Sequence, residues 1–201
     1  MDLFSKPDDK ITLDLSPSKA DFYPNFLTKK QADFLFDNLL EKTPWKQETI
    51  NFMGKVSPIP RLTYWYSKEN KEYIYSGIKV LPVPYTEVIK RLCDLVEKQC
   101  DYKFNSVLLN LYRDGNDKVA WHADDEKSLG DEINIASISV GAEREFQFKS
   151  KHDPDKKEKI MLSHGSLLIM HDPLQQHWLH QIPVRKKISE PRINLTFRFI
   201  P

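Results

Sequence analysis

The sequence predicts an α+β, mainly β domain: a double-sheet jelly roll or barrel with two helices packed on the outside of a sheet. Three observations lead there. Stretches near residues 28–43 and 84–99 carry apolar residues at helical spacing, and from about residue 104 the chain reads as eight short strands separated by turn residues. With 201 residues and 40% hydrophobic content, a single domain is long enough to bury a core.

Taken in order, residues 1–20 are polar, charged and broken by proline, and read as a tail with one short strand at 11–15. Thr28 and Gln31 form a capping-box pair, and Ala32, Leu35, Phe36, Leu39 and Leu40 keep the i, i+3, i+4 rhythm until Pro44 stops it. A second helix over 84–99 opens at a proline and stripes Val88, Ile89, Leu92, Leu95 and Val96. Between the helices, residues 45–77 interleave aromatics with Lys46, Lys55, Arg61, Lys68 and Lys71. That mixture suits a surface that stacks bases and grips phosphates, or a twisted hairpin packed on the second helix; the pattern alone favours the hairpin. Strands are expected at 104–112, 118–124, 133–140, 144–149, 159–163, 166–171, 178–183 and 192–199. Turns fall at Asp114-Gly115, Asn116-Asp117, Asp153-Pro154-Asp155 and His164-Gly165.

The formal net charge is +1, so nucleic-acid binding would have to come from local basic patches. Cys93 and Cys100 lie seven apart on a helix, too far to bridge, which suits a reducing compartment. No stretch has signal-peptide or membrane-spanning character. The expectation is a soluble monomer that is not secreted and not membrane-bound, cytoplasmic in a bacterium or nuclear in a eukaryote.

The chemistry concentrates in two strands. Within Trp121-His-Ala-Asp-Asp-Glu126, His122 and Asp124 point the same way on a strand and can share a metal, while Val119, Trp121 and Ala123 would pack inward on the opposite face. In Arg192-Ile-Asn-Leu-Thr-Phe-Arg198, Arg192, Asn194, Thr196 and Arg198 share one face and Ile193, Leu195, Phe197 and Phe199 the other. Facing a cavity, the polar set suits a dicarboxylate, since arginine offers a fork matched to a carboxylate; facing solvent, it is only a polar surface. The same period of two places Asn110 and Tyr112 together. A third metal ligand could come from His152, His164, His171, His177 or His180; the first two sit at a charged tip and beside a turn glycine, and composition does not separate His177 from His180. Two histidines and a carboxylate favour non-haem Fe(II) and oxygen chemistry, with a three-ligand zinc site as the competitor.

Asn110-Leu-Tyr, Trp121-His-Ala-Asp-Asp-Glu, His164-Gly-Ser-Leu-Leu-Ile-Met, Gln176-His-Trp-Leu-His and Pro191-Arg-Ile-Asn-Leu-Thr-Phe-Arg together resemble the AlkB family of Fe(II)- and 2-oxoglutarate-dependent dioxygenases, most of all its DNA-repair demethylase branch, over roughly residues 20–200. The resemblance implies a double-stranded β-helix (jelly roll) domain over 21–201 after a tail of 1–20, with a nucleotide-recognition lid at 45–77 and the core at 104–200. It implies iron on His122, Asp124 and His180, with His177 a neighbour. It implies 2-oxoglutarate with its distal carboxylate on Arg192, assisted by Tyr112, in a pocket lined by Asn110, Asn194 and Arg198, and O2 as the oxidant. The implied reaction is oxidative demethylation of alkylated bases such as 1-methyladenine and 3-methylcytosine in single- or double-stranded DNA, releasing formaldehyde, succinate and CO2. Asp125 is implied as a catalytic residue that holds the cationic base; Glu126 either helps or belongs to a solvated acidic turn. Tyr73 and Tyr75 match residues that flank a flipped base, Arg61 a lid position near the nucleic acid, and Met53 a wedge position where duplex-repairing relatives carry an aromatic. Arg185-Lys186-Lys187 could grip phosphates. The rivals are the same chemistry on RNA or a protein side chain, and a metal-binding nucleic-acid module without turnover.

Overall fold

The structure is a computed structural model that describes residues 9–52, 54–68, 73–75, 78–80 and 83–201. Met53 lies outside the described residues, as do the side chains of Tyr73 and Tyr75. In chain order the strands are β1 Ile11–Leu15, β2 Ser18–Tyr23, β3 Thr49–Phe52, β4 Lys55–Pro58, β5 Leu62–Ser67, β6 Tyr73–Tyr75, β7 Ile78–Val80, β8 Ser106–Tyr112, β9 Val119–His122, β10 Ile135–Gly141, β11 Arg144–Ser150, β12 Lys157–Leu162, β13 Ser166–Met170, β14 Trp178–Ile182 and β15 Arg192–Arg198. Helices α1 Lys29–Lys42 and α2 Glu87–Cys100 precede β8.

Two antiparallel sheets face each other. The larger runs β1-β2-β13-β10-β15-β8-β5 and the smaller β12-β11-β14-β9, while β3-β4 and β6-β7 form separate two-stranded hairpins. Alternation along β15 decides what lies on each face of the large sheet. Ile193, Leu195 and Phe197, all fully buried, pack outward against Ala32, Leu35 and Leu39 of α1 and Ile89, Leu92, Cys93 and Val96 of α2. Each such burial contributes about 1.5–3 kcal/mol, which fixes the helices to that face. On the inner face, Ile135, Leu168, Met170 and Tyr112 meet Phe146, Phe148, Trp178 and Ile182 of the small sheet. This is the jelly roll that the strand pattern predicts, with all eight expected strands present.

The capping box forms: Gln31 N donates to Thr28 Oγ1 at 3.3 Å and Thr28 N donates to Gln31 Oε1 at 2.9 Å. The second helix starts later than Pro84, at Glu87, because the Thr86 hydroxyl caps Ile89 N and Pro84 lies ahead of the cap. Residues 11–20 are not a tail. β1 and β2 form a hairpin on the edge of the large sheet, with Leu15 and Ala20 fully buried and the Trp178 indole donating to Leu15 O at 2.7 Å. Within 45–77, β5 is the other edge strand of the same sheet; Tyr66 packs on the helix side, as the hairpin reading expected, but Trp65 packs on the opposite face with Leu108 and Leu129. Phe199, expected in the core, is 51% exposed because the strand ends one residue earlier. Both cysteines are free, and among the described residues no helix is long and apolar enough to cross a membrane.

Candidate active site

The register around β15 builds the site. Arg192 lies opposite Tyr112 and Asn194 opposite Asn110 on β8, while Asn194 lies opposite Ser139 on β10. The inner face therefore collects Arg192, Asn194, Thr196 and Arg198 with Asn110 and Tyr112 in one cavity, closed from the other side by His122, Asp124 and His180. The cavity reading of the last strand is correct and the solvent reading is not.

His122 and His180 come together by strand pairing between β9 and β14. Their register then slips, so that Ile182 pairs with Val119. Three residues of β9 thus span two of β14, a bulge that breaks the simple alternation. Val119 joins the cavity beside His122, contrary to the expectation that it faces away. Trp121 is half-buried on the outer side, with Lys149 Nζ 4.9 Å above its ring, rather than packed inward.

One ligand atom from each of His122, Asp124 and His180 lies within 4.8 Å of the others, the only such cluster of three metal-ligating side chains among the described residues. His122 Nε2 is 3.7 Å from Asp124 Oδ1 and His180 Nε2 is 3.9 Å from Asp124 Oδ2, too long for hydrogen bonds and wide enough for an ion between them. His122 Nδ1 sits 2.8 Å from Ala120 O, which accepts a hydrogen bond from the Nδ1 proton and leaves Nε2 its lone pair. Burial holds the His180 imidazole down at about 3, so the ring is neutral and able to ligate. Burial would raise the Asp124 carboxyl, but the Arg198 guanidinium and the two imidazoles outweigh it and hold it well below the usual carboxylate range. Arg198 Nη2 is 3.0 Å from Asp124 Oδ1, and Gln175 Oε1 accepts from Asp124 N at 3.0 Å. Two imidazoles and one carboxylate fit a borderline cation such as non-haem Fe(II) held on one face.

The other histidines are engaged elsewhere. His164 accepts from Gly141 N and meets Asp33; His171 bridges Tyr102 and Asp21; His177 pairs with His152 at 3.1 Å. Geometry thus separates His180 from His177, which the sequence pattern left equal.

At the far end of the cavity Arg192 is 2% exposed. Its Nη2 donates to Ser139 Oγ at 2.9 Å and its guanidinium carbon lies 5.0 Å from the Tyr112 ring centre, while Nε and Nη1 are buried with no hydrogen-bond partner. A buried guanidinium with two idle donors is a receptor for an anion. Between the two ends runs a chain of amides and hydroxyls: Asn110 Nδ2 to Asn194 Oδ1 at 3.3 Å, Thr196 Oγ1 to Asn194 Oδ1 at 2.9 Å and Asn194 Nδ2 to Ser137 Oγ at 2.7 Å.

Arg61, Asp125 and Glu126, the residues expected toward the substrate, lie at different depths. Arg61 is 7% exposed and its Nε donates to Asn110 Oδ1 at 2.9 Å, which puts it in the wall of this cavity. The Asp125 side chain is 56% exposed and paired with Lys151 Nζ at 3.0 Å, outside the cavity lining. Glu126 is more buried than Asp125 but likewise outside the cavity lining: its Oε2 has no hydrogen-bond partner, and burial, reinforced by the Asp124 charge, raises its carboxyl. Ser137, Ser139 and Gln175 were missed. The serines alternate on β10 with the buried Ala136, Ile138 and Val140, a pattern that places two hydroxyls on the inner face and could have revealed them.

Residues 19–198 match the family described as the 2OG-Fe(II) oxygenase superfamily. The chain is 40% identical over 200 residues to the human protein named alpha-ketoglutarate-dependent dioxygenase alkB homolog 3, covering 94% of this chain and 69% of that one. It is 37% identical over 188 residues to human DNA oxidative demethylase ALKBH2, covering 89% and 72%. A solved structure of OsALKBH1 superposes with a TM-score of 0.62 at 16% identity over 90% of this chain and 96% of that one, a likeness of fold alone. Cavity, donor set and sequence agree: the chain belongs to the 2OG-Fe(II) oxygenase superfamily and, within it, to the AlkB family of dioxygenases.

Proposed function

We propose that this dioxygenase oxidatively demethylates alkylated nucleobases, with 1-methyladenine and 3-methylcytosine in DNA as the substrates, acting as a monomer on single or double strands. The observation that carries the reading is the coexistence in one cavity of the His122, Asp124 and His180 cluster and the idle donors of Arg192. In this reading His122, Asp124 and His180 hold Fe(II). Iron with 2-oxoglutarate and O2 supplies the oxidising power, with CO2 and succinate as the spent co-substrate. Arg192 anchors the distal carboxylate through Nε and Nη1, Tyr112 packs against it, and Asn110, Asn194 and Arg198 line the pocket. Arg198 also holds Asp124 in its charged form, and Gln175 fixes its backbone.

The substrate end is built from acids. A methylated base such as 3-methylcytosine carries a positive charge, and the buried, unpartnered Glu126 Oε2 supports a role for this carboxyl in holding it or its exocyclic amine. Asp125 contributes only once it is released from Lys151, an exchange that an incoming cation would favour. Arg61, just before β5, restrains Asn110 from the cavity wall; Tyr73 and Tyr75 in the lid hairpin β6-β7 would flank the extruded base, and Met53, between β3 and β4 in the chain, would act as the wedge. The relatives named as dioxygenase and as DNA oxidative demethylase support this substrate class. The test supplies Fe(II), ascorbate and 2-oxoglutarate with oligonucleotides carrying one 3-methylcytosine, as single strand, duplex and RNA, and follows loss of the methyl by mass spectrometry. Repair of the DNA strands supports the proposal; repair of RNA alone moves the substrate, and intact lesions in all three reject it.

A further inference from the structure

Arg144, the first residue of β11, is 1% exposed and as deeply enclosed as Arg192. Three backbone carbonyls hold it: Nη1 donates to Asp114 O at 3.0 Å, and Nη2 donates to Asp117 O and Pro183 O, each at 2.8 Å. The nearby Asp117 carboxylate does not neutralise it, because that carboxylate is engaged by Arg113 through its backbone N, Nε and Nη2, each at 2.8 Å. The carbonyls belong to two loops, the turn between β8 and β9 and the exit of β14. Those loops are themselves tied together, Arg185 N to Gly115 O at 2.7 Å and Gly115 N to Ile188 O at 2.8 Å. Arg144 is thus a cation fixed in place. On its other side, its guanidinium carbon lies 5.6 Å from the centre of the Tyr112 ring that Arg192 approaches to 5.0 Å.

We infer that Arg144 is a positioning residue for the 2-oxoglutarate pocket: it fixes the Tyr112 ring and adds a second buried positive charge behind Arg192, so that two guanidiniums draw the distal carboxylate although only one touches it. The inference rests on the reading of Arg192 as the carboxylate anchor. Two like charges sharing one ring repel each other until an anion arrives, so the pair favours a dianionic co-substrate over a monoanion. A charge about 10 Å away at an effective permittivity of about 20 changes affinity roughly tenfold. A mere loop staple would show no such preference for the distal carboxylate.

The test is calorimetric binding to the Mn(II)-loaded protein of 2-oxoglutarate and of 2-oxobutyrate, which lacks the distal carboxylate. Wild type should prefer 2-oxoglutarate strongly. Arg144→Gln should lose about tenfold in 2-oxoglutarate affinity with 2-oxobutyrate within about twofold, and Arg144→Lys, which keeps the charge, should stay within about threefold of wild type for both. An unchanged preference in Arg144→Gln, or equal losses for both ligands, overturns the inference. Absence of any preference in wild type overturns the carboxylate anchor itself, and the inference with it. If Arg144→Gln does not fold, Arg144→Lys decides: 2-oxoglutarate and 2-oxobutyrate affinities both within about threefold of wild type support the inference, and a tenfold loss shared by both overturns it.

Discussion

Arg192 sets function against stability in one side chain. Burial pulls its guanidinium down from 12.5 to about 10, so keeping it charged costs the folded protein on the order of 3 kcal/mol. Arg192→Met keeps much of the length and removes that cost, at the loss of the hydrogen bond to Ser139 and the contact with the Tyr112 ring, about 1 kcal/mol each. Without co-substrate the two effects offset to within about 2 kcal/mol, so the melting temperature should stay within a few degrees of wild type. Binding has no such offset. Losing two charge-assisted hydrogen bonds at about 1.5–3 kcal/mol each weakens 2-oxoglutarate at least a hundredfold. Differential scanning fluorimetry with and without 2-oxoglutarate, on Mn(II)-loaded protein, reads both effects. A variant that melts several degrees below wild type without co-substrate, yet is still stabilised by 2-oxoglutarate as wild type is, would refute the reasoning.

His180→Ala should abolish tight Fe(II) or Mn(II) binding, whereas His177→Ala, which breaks only the contact with His152, should leave it within about threefold; equal losses in isothermal titration would reject the ligand assignment. Gly115→Ala should destabilise by more than about 3 kcal/mol in urea unfolding, since a Cβ there would sit 1.9 Å from the Arg185 carbonyl oxygen and break the paired loops; a cost below about 1 kcal/mol would show that the loops separate freely. Glu97 carries the pH prediction: burial raises its carboxyl, but Phe104 N and the ammonium groups of Lys103 and Lys68 outweigh burial and hold it at about 2 instead of 4.5. A carboxyl depressed in the folded state stabilises above its unfolded value and loses that contribution as pH falls through the folded value. Glu97→Gln should therefore be on the order of 2 kcal/mol less stable than wild type above about pH 5, with the two curves converging toward pH 2; a constant gap across that range would contradict the assignment.

Much of this was legible in the residues because it depends on local periodicity. The alternation of Arg192 to Arg198 separates a polar cavity wall from a core face, and the Thr28 and Gln31 pair marks the start of α1. What was not legible depends on register or on contacts remote in sequence. The bulge between β9 and β14 moves Val119 into the cavity and Trp121 out of the core, and no single-strand pattern encodes it. Ser18 to Ala20 reads as the end of a polar tail because Ser18 and Lys19 carry little strand propensity; pairing of β2 with β1 and β13 on either side makes it a strand. Arg61 and Asp125 take positions that residue type alone does not give: hydrogen bonding turns Arg61 to the cavity wall, and the bond to Lys151 holds Asp125 outward. Arg144 did leave a signal, since it shares a strand face with the buried Phe146 and Phe148, and an arginine on a core face must find partners inside.

The most direct measurement of the central claim is product stoichiometry under isotopically labelled O2, with a 3-methylcytosine oligonucleotide and the Fe(II)-loaded protein. The account predicts succinate and formaldehyde in equal amounts, with label in the succinate, and loss of both in Asp124→Ala. Succinate that forms at the same rate without the methylated base, or formaldehyde that forms without 2-oxoglutarate, would contradict it.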